Sequence, residues 1–126
     1  MMILNYSHPL TEPQLARLRD LSGQPGKEKK IPAQVAEGES VQDAAHRLAD
    51  AAGLAPGEWQ TEPLLLLLPG LASLAACLIA EVHGRAGYFP SIVVLRPAPS
   101  TGGPLLFEVS EVISLQTLRD KARSLR

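Results

Sequence analysis

Aromatic residues make up only 4 % of this 126-residue chain, so its core has to be assembled from leucine, alanine, valine and isoleucine. A single cysteine, Cys77, excludes an intrachain disulfide and fits a reducing compartment. Neither sign of charge is in excess. A formal net charge of -1 argues against the broad basic surface that coats duplex nucleic acid. It leaves room for a small anion held by backbone amides and one or two cations. Apolar runs such as Leu64 to Leu68 fall far short of the roughly 20 residues needed to cross a bilayer. The amino terminus lacks a basic segment followed by an apolar one, so neither a membrane span nor a signal peptide is expected. The expectation is a soluble, cytoplasmic protein. Its three histidines, His8, His46 and His83, share no ligand spacing, and no metal or other cofactor is expected.

What is present is a regular alternation of apolar strands and amphipathic helices. Met1 to Asn5 opens as a buried strand. Thr11 then has the character of a helix N-cap, with Glu12 and Pro13 in the first turn and Gln14 at the capping-box position. Leu15, Leu18 and Leu21 share one face, and Gly23 ends the helix. The charged segment QPGKEKK, residues 24–30, is expected to be a solvated loop, and Ile31 to Ala36 an edge strand that tolerates Pro32. Ser40 and Asp43 start the next helix, along which Val41, Ala44, Ala45, Leu48 and Ala52 follow a helical period. Gly53 closes it and Pro56 is expected to prevent its restart.

Leu64 to Leu68 carries no polar residue, as befits a strand buried on both faces of a parallel sheet. Leu71 to His83 is apolar nearly all round and predicts a deeply packed helix, bracketed by Gly84 and Gly87. Ile92 to Leu95 is a second apolar strand. After the loop PAPSTGGP, Leu105 to Ile113 predicts a strand joined to it as a hairpin. Ser114 caps a terminal helix with Leu115, Leu118, Ala122 and Leu125 expected inward and Arg119, Lys121, Arg123 and Arg126 outward. The order β-α-β-α-β-α-β-β-α predicts one α/β domain over residues 1–126. Its mostly parallel, Rossmann-like sheet would carry helices on both faces and a C-terminal β-hairpin plus helix.

In such sheets ligands bind beyond the carboxyl ends of the strands, where the strand order reverses. If the order is 2-1-3-4, that point is flanked by Asn5 to Pro9 and by Pro69 to Ser73. Asn5, Tyr6, Ser7 and His8 then stand at the mouth of the crevice, either as a binding site or as turn chemistry. Gly70 allows a tight turn, and Leu71, Ala72 and Ser73 offer free amides at a helix amino terminus, an anion site. Arg96 closes the next strand on the same edge. Arg85 and Tyr88 fall on the opposite edge, where a partner subunit could meet them. His8 is open to two readings, a functional imidazole or a residue held extended before Pro9. Ser7 and His8 are not a catalytic dyad, because neighbours on an extended chain point to opposite faces. Asp43 and Asp50, or Glu108 and Glu111, offer no obvious acid-base pair, and Cys77 is best taken as a small apolar residue.

The strings ILNYSHPLT, PGLASLAA, EVHGRAGYFP and EVISLQTLRDKAR resemble the short CRISPR-associated accessory proteins of the fifteenth Csx family. The likeness weakens across residues 24–60. It implies a CARF-like domain from a type III CRISPR system, in which an RNA-activated complex makes cyclic oligoadenylates as alarm messengers. Small proteins of this kind bind the messenger, and several families cleave it as ring nucleases. The resemblance therefore implies a homodimer or higher homo-oligomer that binds cyclic oligoadenylate, most commonly the tetra-adenylate. It would damp the signal either as a sponge or by slow, metal-independent cleavage. His8 would be the acid or base and Arg96 the charge stabiliser, with Asn5, Tyr6, Ser7 and the segment from Gly70 to Ser73 in contact with the ring. The rival readings are an unrelated nucleotide-binding Rossmann domain and a non-enzymatic interaction module.

Overall fold

A computed structural model describes residues 1–99 and 102–126 of the protein; Ser100 and Thr101, in the expected PAPSTGGP loop, lie outside the described residues. The chain is α/β. Strand β1 (Met2–Asn5) lies between β2 (Lys27–Lys30) and β3 (Leu64–Leu67), parallel to both. Strand β4 (Ser91–Pro97) continues the sheet in parallel, and β5 (Phe107–Ser114) pairs with it antiparallel, with a register shift at Val94/Leu95. The resulting order is β2-β1-β3-β4-β5.

The four leucines of β3 are all buried, and they alternate between two cores. Leu64 and Leu66 face one side with Leu4, where α2 (Val41–Asp50) and α4 (Ala72–Ala86) pack together. Leu65 and Leu67 face the other with Ile3 and Val93, covered by Leu18 of α1 (Glu12–Ser22). Local signals set the helix ends. Thr11 Oγ1 accepts from the Gln14 amide at 3.3 Å while Gln14 Oε1 accepts from the Thr11 amide at 2.8 Å. Gly23, at φ 73°, closes α1 in the left-handed conformation that only glycine adopts freely. Ser40 Oγ accepts from the Asp43 amide at the start of α2.

Five expectations are corrected. The KEKK segment is not a loop but β2, and Ile31 to Ala36 forms no strand. A parallel edge strand needs backbone partners more than apolar side chains, and the charges of β2 are used. Glu28 Oε2 accepts from the Asn5 side chain, and Lys29 Nζ donates to the Ala52 carbonyl at 2.7 Å. Charged residues on an edge also discourage pairing with other chains. Pro56 does not end helical structure; it occupies the first turn of α3 (Pro56–Thr61), which buries Trp59. Helix α4 runs through Gly84 to Ala86 and ends at Gly87, burying only the stripe Leu74, Leu78, Val82 and Ala86. Finally, α5 (Leu115–Arg123) buries none of its residues: Leu118 is 57 % exposed, and Leu125 just beyond it 88 %.

These burials predict a contrast. Leu66→Ala, at a fully enclosed site, is expected to cost about 2–5 kcal/mol, whereas Leu118→Ala stays within about 0.5 kcal/mol. Urea denaturation of both variants checks it; equal losses would mean that α5 packs back onto its own sheet.

Candidate functional site

The site is built where β1 and β3 end side by side. The Tyr6 amide donates to the Leu67 carbonyl at 3.0 Å, which ties the exit of one strand to the other. Because α1 leads from β1 to one neighbour and α4 leads from β3 away to the other, the two loops diverge from this point. In open α/β sheets, ligands lie outside the carboxyl edge at such a point.

Asn5 governs the first loop. Its side chain is 1 % exposed and its hydrogen-bonding capacity is largely committed. Oδ1 accepts from the Ser7 amide at 2.8 Å, which makes an Asx turn. Nδ2 donates to the His8 carbonyl at 2.8 Å and to Glu28 Oε2 at 2.7 Å. Glu28 Oε2 also accepts from the Leu10 amide at 3.1 Å, so one carboxylate and one amide clamp the loop at both ends. Tyr6 points inward. Its ring is 2 % exposed in the α2 core, and its hydroxyl donates to the Leu48 carbonyl at 3.1 Å. The expected contacts of Asn5 and Tyr6 with a ligand are therefore corrected: Asn5 shapes the loop, and Tyr6 anchors it. Burial pushes the Tyr6 hydroxyl far above its ordinary pKa of 10.0, with the nearby Arg85 opposing that shift.

Ser7, His8 and Pro9 are exposed, as are Gly70, Leu71, Ala72 and Ser73 on the neighbouring loop. Leu71 is the N-cap of α4 and offers no side-chain cap, so the first amides of this helix lack the partner that Thr11 and Ser40 provide elsewhere. Gly70 does not adopt a left-handed conformation, and a Cβ there would meet nothing within 4 Å. Its value is open space above the amides. Arg96 lies on the same edge of the sheet, 66 % exposed, with one guanidinium nitrogen 3.4 Å from Glu111. Exposed pairs of this kind are weak, so the cation is free to turn to a stronger anion.

Arg85 and Tyr88, on the opposite edge, are engaged within the protomer. Arg85 donates to Asp50 at 2.8 Å and Glu81 at 3.2 Å and lies 5.7 Å from the centre of the Trp59 ring. It thereby ties α2, α3 and α4 together, and its hydrogen bond holds the Asp50 carboxyl below its usual range. Tyr88 donates to the Glu62 carbonyl at 3.1 Å. Nothing in the order of residues signalled this network, whose members are up to 39 positions apart. Two cavities lie away from the carboxyl edge. One, of about 430 Å³, opens between α2 and α4; the other, of about 390 Å³, is lined by Thr61, Tyr88, Ser91 and Gln116. Among the described residues no group of three or more His, Cys, Asp or Glu could hold a metal ion, and no helix is long and apolar enough to cross a membrane.

Two outcomes follow from the loop. Asn5→Asp removes both donors and sets a second carboxylate against Glu28, so a loss of about 2–4 kcal/mol is expected in urea denaturation; an unchanged midpoint would remove Asn5 from the clamp. For Tyr6, the folded chain holds its proton to higher pH than the unfolded chain does. Its contribution is thus complete below pH 10 and is lost as pH rises above that value. Tyr6→Phe is expected to flatten the fall in stability between about pH 9 and 11, measured against wild type. Comparison of the chain with protein-family models, with curated proteins and with solved structures found no match.

Proposed function

We propose that this chain is a Rossmann-like, CARF-like domain of the fifteenth Csx family that binds cyclic oligoadenylate and so damps type III CRISPR signalling. The observation that carries the reading is the pairing of two exposed loops at the reversal of strand order. One holds Ser7 and His8 on a rigid Asx turn; the other holds the uncapped amides of Ala72 and Ser73 beneath the open space at Gly70. Backbone amides at a helix amino terminus suit a bridging phosphate. The Ser7 hydroxyl and the His8 imidazole suit the edge of a base or a ribose hydroxyl. The site is a shallow edge in one protomer, and a ring of four adenylates has two-fold symmetry. A second copy related by a two-fold axis would supply an identical half-site to the other half of the ring.

Sequestration is the principal activity in this proposal, and cleavage, where it occurs, is slow. The chemistry needs no metal. A ribose 2′-oxygen attacks the adjacent phosphorus in line, the P–O5′ bond breaks, and a 2′,3′-cyclic phosphate and a 5′-hydroxyl result. The imidazole of His8 takes the 2′ proton or delivers one to the departing 5′-oxygen. The α4 amides and Arg96 face the charge that grows on the phosphate oxygens. Among the described residues no side chain is hydrogen-bonded to the His8 ring, so much of any acceleration has to come from bending the ring of adenylates into the in-line geometry.

Single-turnover incubation of excess protein with radiolabelled cyclic tetra-adenylate in chelator, resolved beside a native gel, tests both parts. A shifted ring is expected, with linear products accumulating slowly or not at all. His8→Ala should reduce cleavage far more than binding. Gly70→Val, which the backbone accommodates, should weaken binding at least tenfold by filling the space over the amides. A ring that is neither shifted nor cut overturns the proposal, and a thermal shift with AMP or NAD in its place points to a different nucleotide.

A further inference from the structure

The α5 segment presents an apolar face that nothing among the described residues covers. Leu118, Ala122 and Leu125 are exposed at positions spaced i, i+4 and i+7, the pattern by which an amphipathic helix anchors in a groove. The segment also carries four cations, Arg119, Lys121, Arg123 and Arg126, against one carboxylate, Asp120. Elsewhere on the protein is a groove of matching form. The cavity of about 430 Å³ between α2 and α4 has the small residues Cys77, Ala80 and Gly84 along its α4 side over the buried Ala45, with Gln42, Glu81 and Arg85 on its walls. Asp50 is bound to Arg85 beside it, and His46 lies 3.5 Å from Asp50 and 3.2 Å from Glu81, so two carboxylates face one guanidinium and one imidazole. From Cys77 to Arg85, α4 extends about 12 Å, and the nine residues of α5 extend about 14 Å.

Gly84 is the independent sign. It is an exposed interior residue of α4, its φ is not positive, and an added Cβ would meet nothing within 4 Å. Glycine there costs the helix stability relative to alanine, and no contact within the protomer requires it. A side chain at this position would stand in the groove. Helix α5 cannot reach its own groove, because Leu115 follows directly on the last residue of β5, the edge strand, with no linker. We infer that α5 of one copy docks into the α2–α4 groove of a second copy. Leu118, Ala122 and Leu125 lie against Cys77, Ala80 and Gly84, and the cations of α5 lie near Glu81 and Asp50. The contact is smaller than a permanent interface, so association is weak and depends on concentration and salt. It lies on different surfaces from the carboxyl-edge loops and does not depend on what those loops bind.

Analytical ultracentrifugation of the full chain over a range of concentrations tests this. Two variants, each at exposed positions, separate the partners: Leu118→Glu with Leu125→Glu disables the helix, and Gly84→Gln fills the groove. Wild type is expected to gain mass with concentration, and each variant to raise the dissociation constant at least tenfold while keeping the wild-type circular dichroism. The two variants mixed together still hold one intact helix and one intact groove, so they should form a one-to-one complex that neither forms alone. A wild type that stays monomeric at all concentrations overturns the inference, as does association that survives both variants. A monomer that instead pellets with phosphatidylserine-rich vesicles overturns it by assigning the α5 face to an anionic membrane surface.

Discussion

A strand without a single polar side chain sets the plan of this molecule. Leu64 to Leu67 can be buried only if both faces of β3 are covered, and α1, α2 and α4 are arranged to do so. One face is closed by α1 and the other by α2 and α4. Covering opposite faces requires the chain to leave β1 and β3 in opposite directions across the sheet. The reversal of strand order between them, and the divergence of their loops, follow from that requirement. The same burial that stabilises the fold thus sets where the two exposed loops stand.

Within that plan, the first loop shows how a polar cluster at a strand end divides its labour. Asn5 and Glu28 hold the backbone of residues 7–10 by three hydrogen bonds and are joined to each other by a fourth, and the hydroxyl of the adjoining Tyr6 fastens the strand end to α2. Only Ser7 and His8 remain outward. Two of the four polar side chains are the mount, and two are what it presents. A buried amide with its donors and acceptor used is a rigid support, because moving it would leave several groups unpaired in a poorly solvated place. Position on the carboxyl edge identifies a neighbourhood, and hydrogen bonding decides which of its members face outward.

Charge is distributed with similar economy. The lysines of β2 protect one edge of the sheet, while Arg85 and Arg47 are consumed in pairs with Asp50, Glu81 and Glu39. Arg47 holds the Glu39 carboxyl down to about 2. Arg96 on the carboxyl edge has one weak partner in Glu111, and among the basic residues of α5 Arg119 pairs with its exposed neighbour Asp120.

The elements legible in the sequence are those fixed within a few residues. The Thr11–Gln14 capping box, the Ser40 cap, the glycine stop at Gly23 and the all-leucine strand each follow from short-range chemistry or from a composition with one physical solution. The loops of the candidate site were likewise legible as places, because alternation of strands and helices implies the edge where ligands lie. The roles of Asn5 and Tyr6 were not, since their partners Glu28 and Leu48 are 23 and 42 residues away. KEKK becomes a strand only because β1 offers it a parallel neighbour, and no local pattern announces that. The leucines of α5 have a helical period yet stay exposed, because periodicity says which residues share a face and never whether anything lies opposite it. Local chemistry determined where the elements begin and end; tertiary structure alone decided which side chains meet, since burial belongs to the assembled chain and to no segment of it.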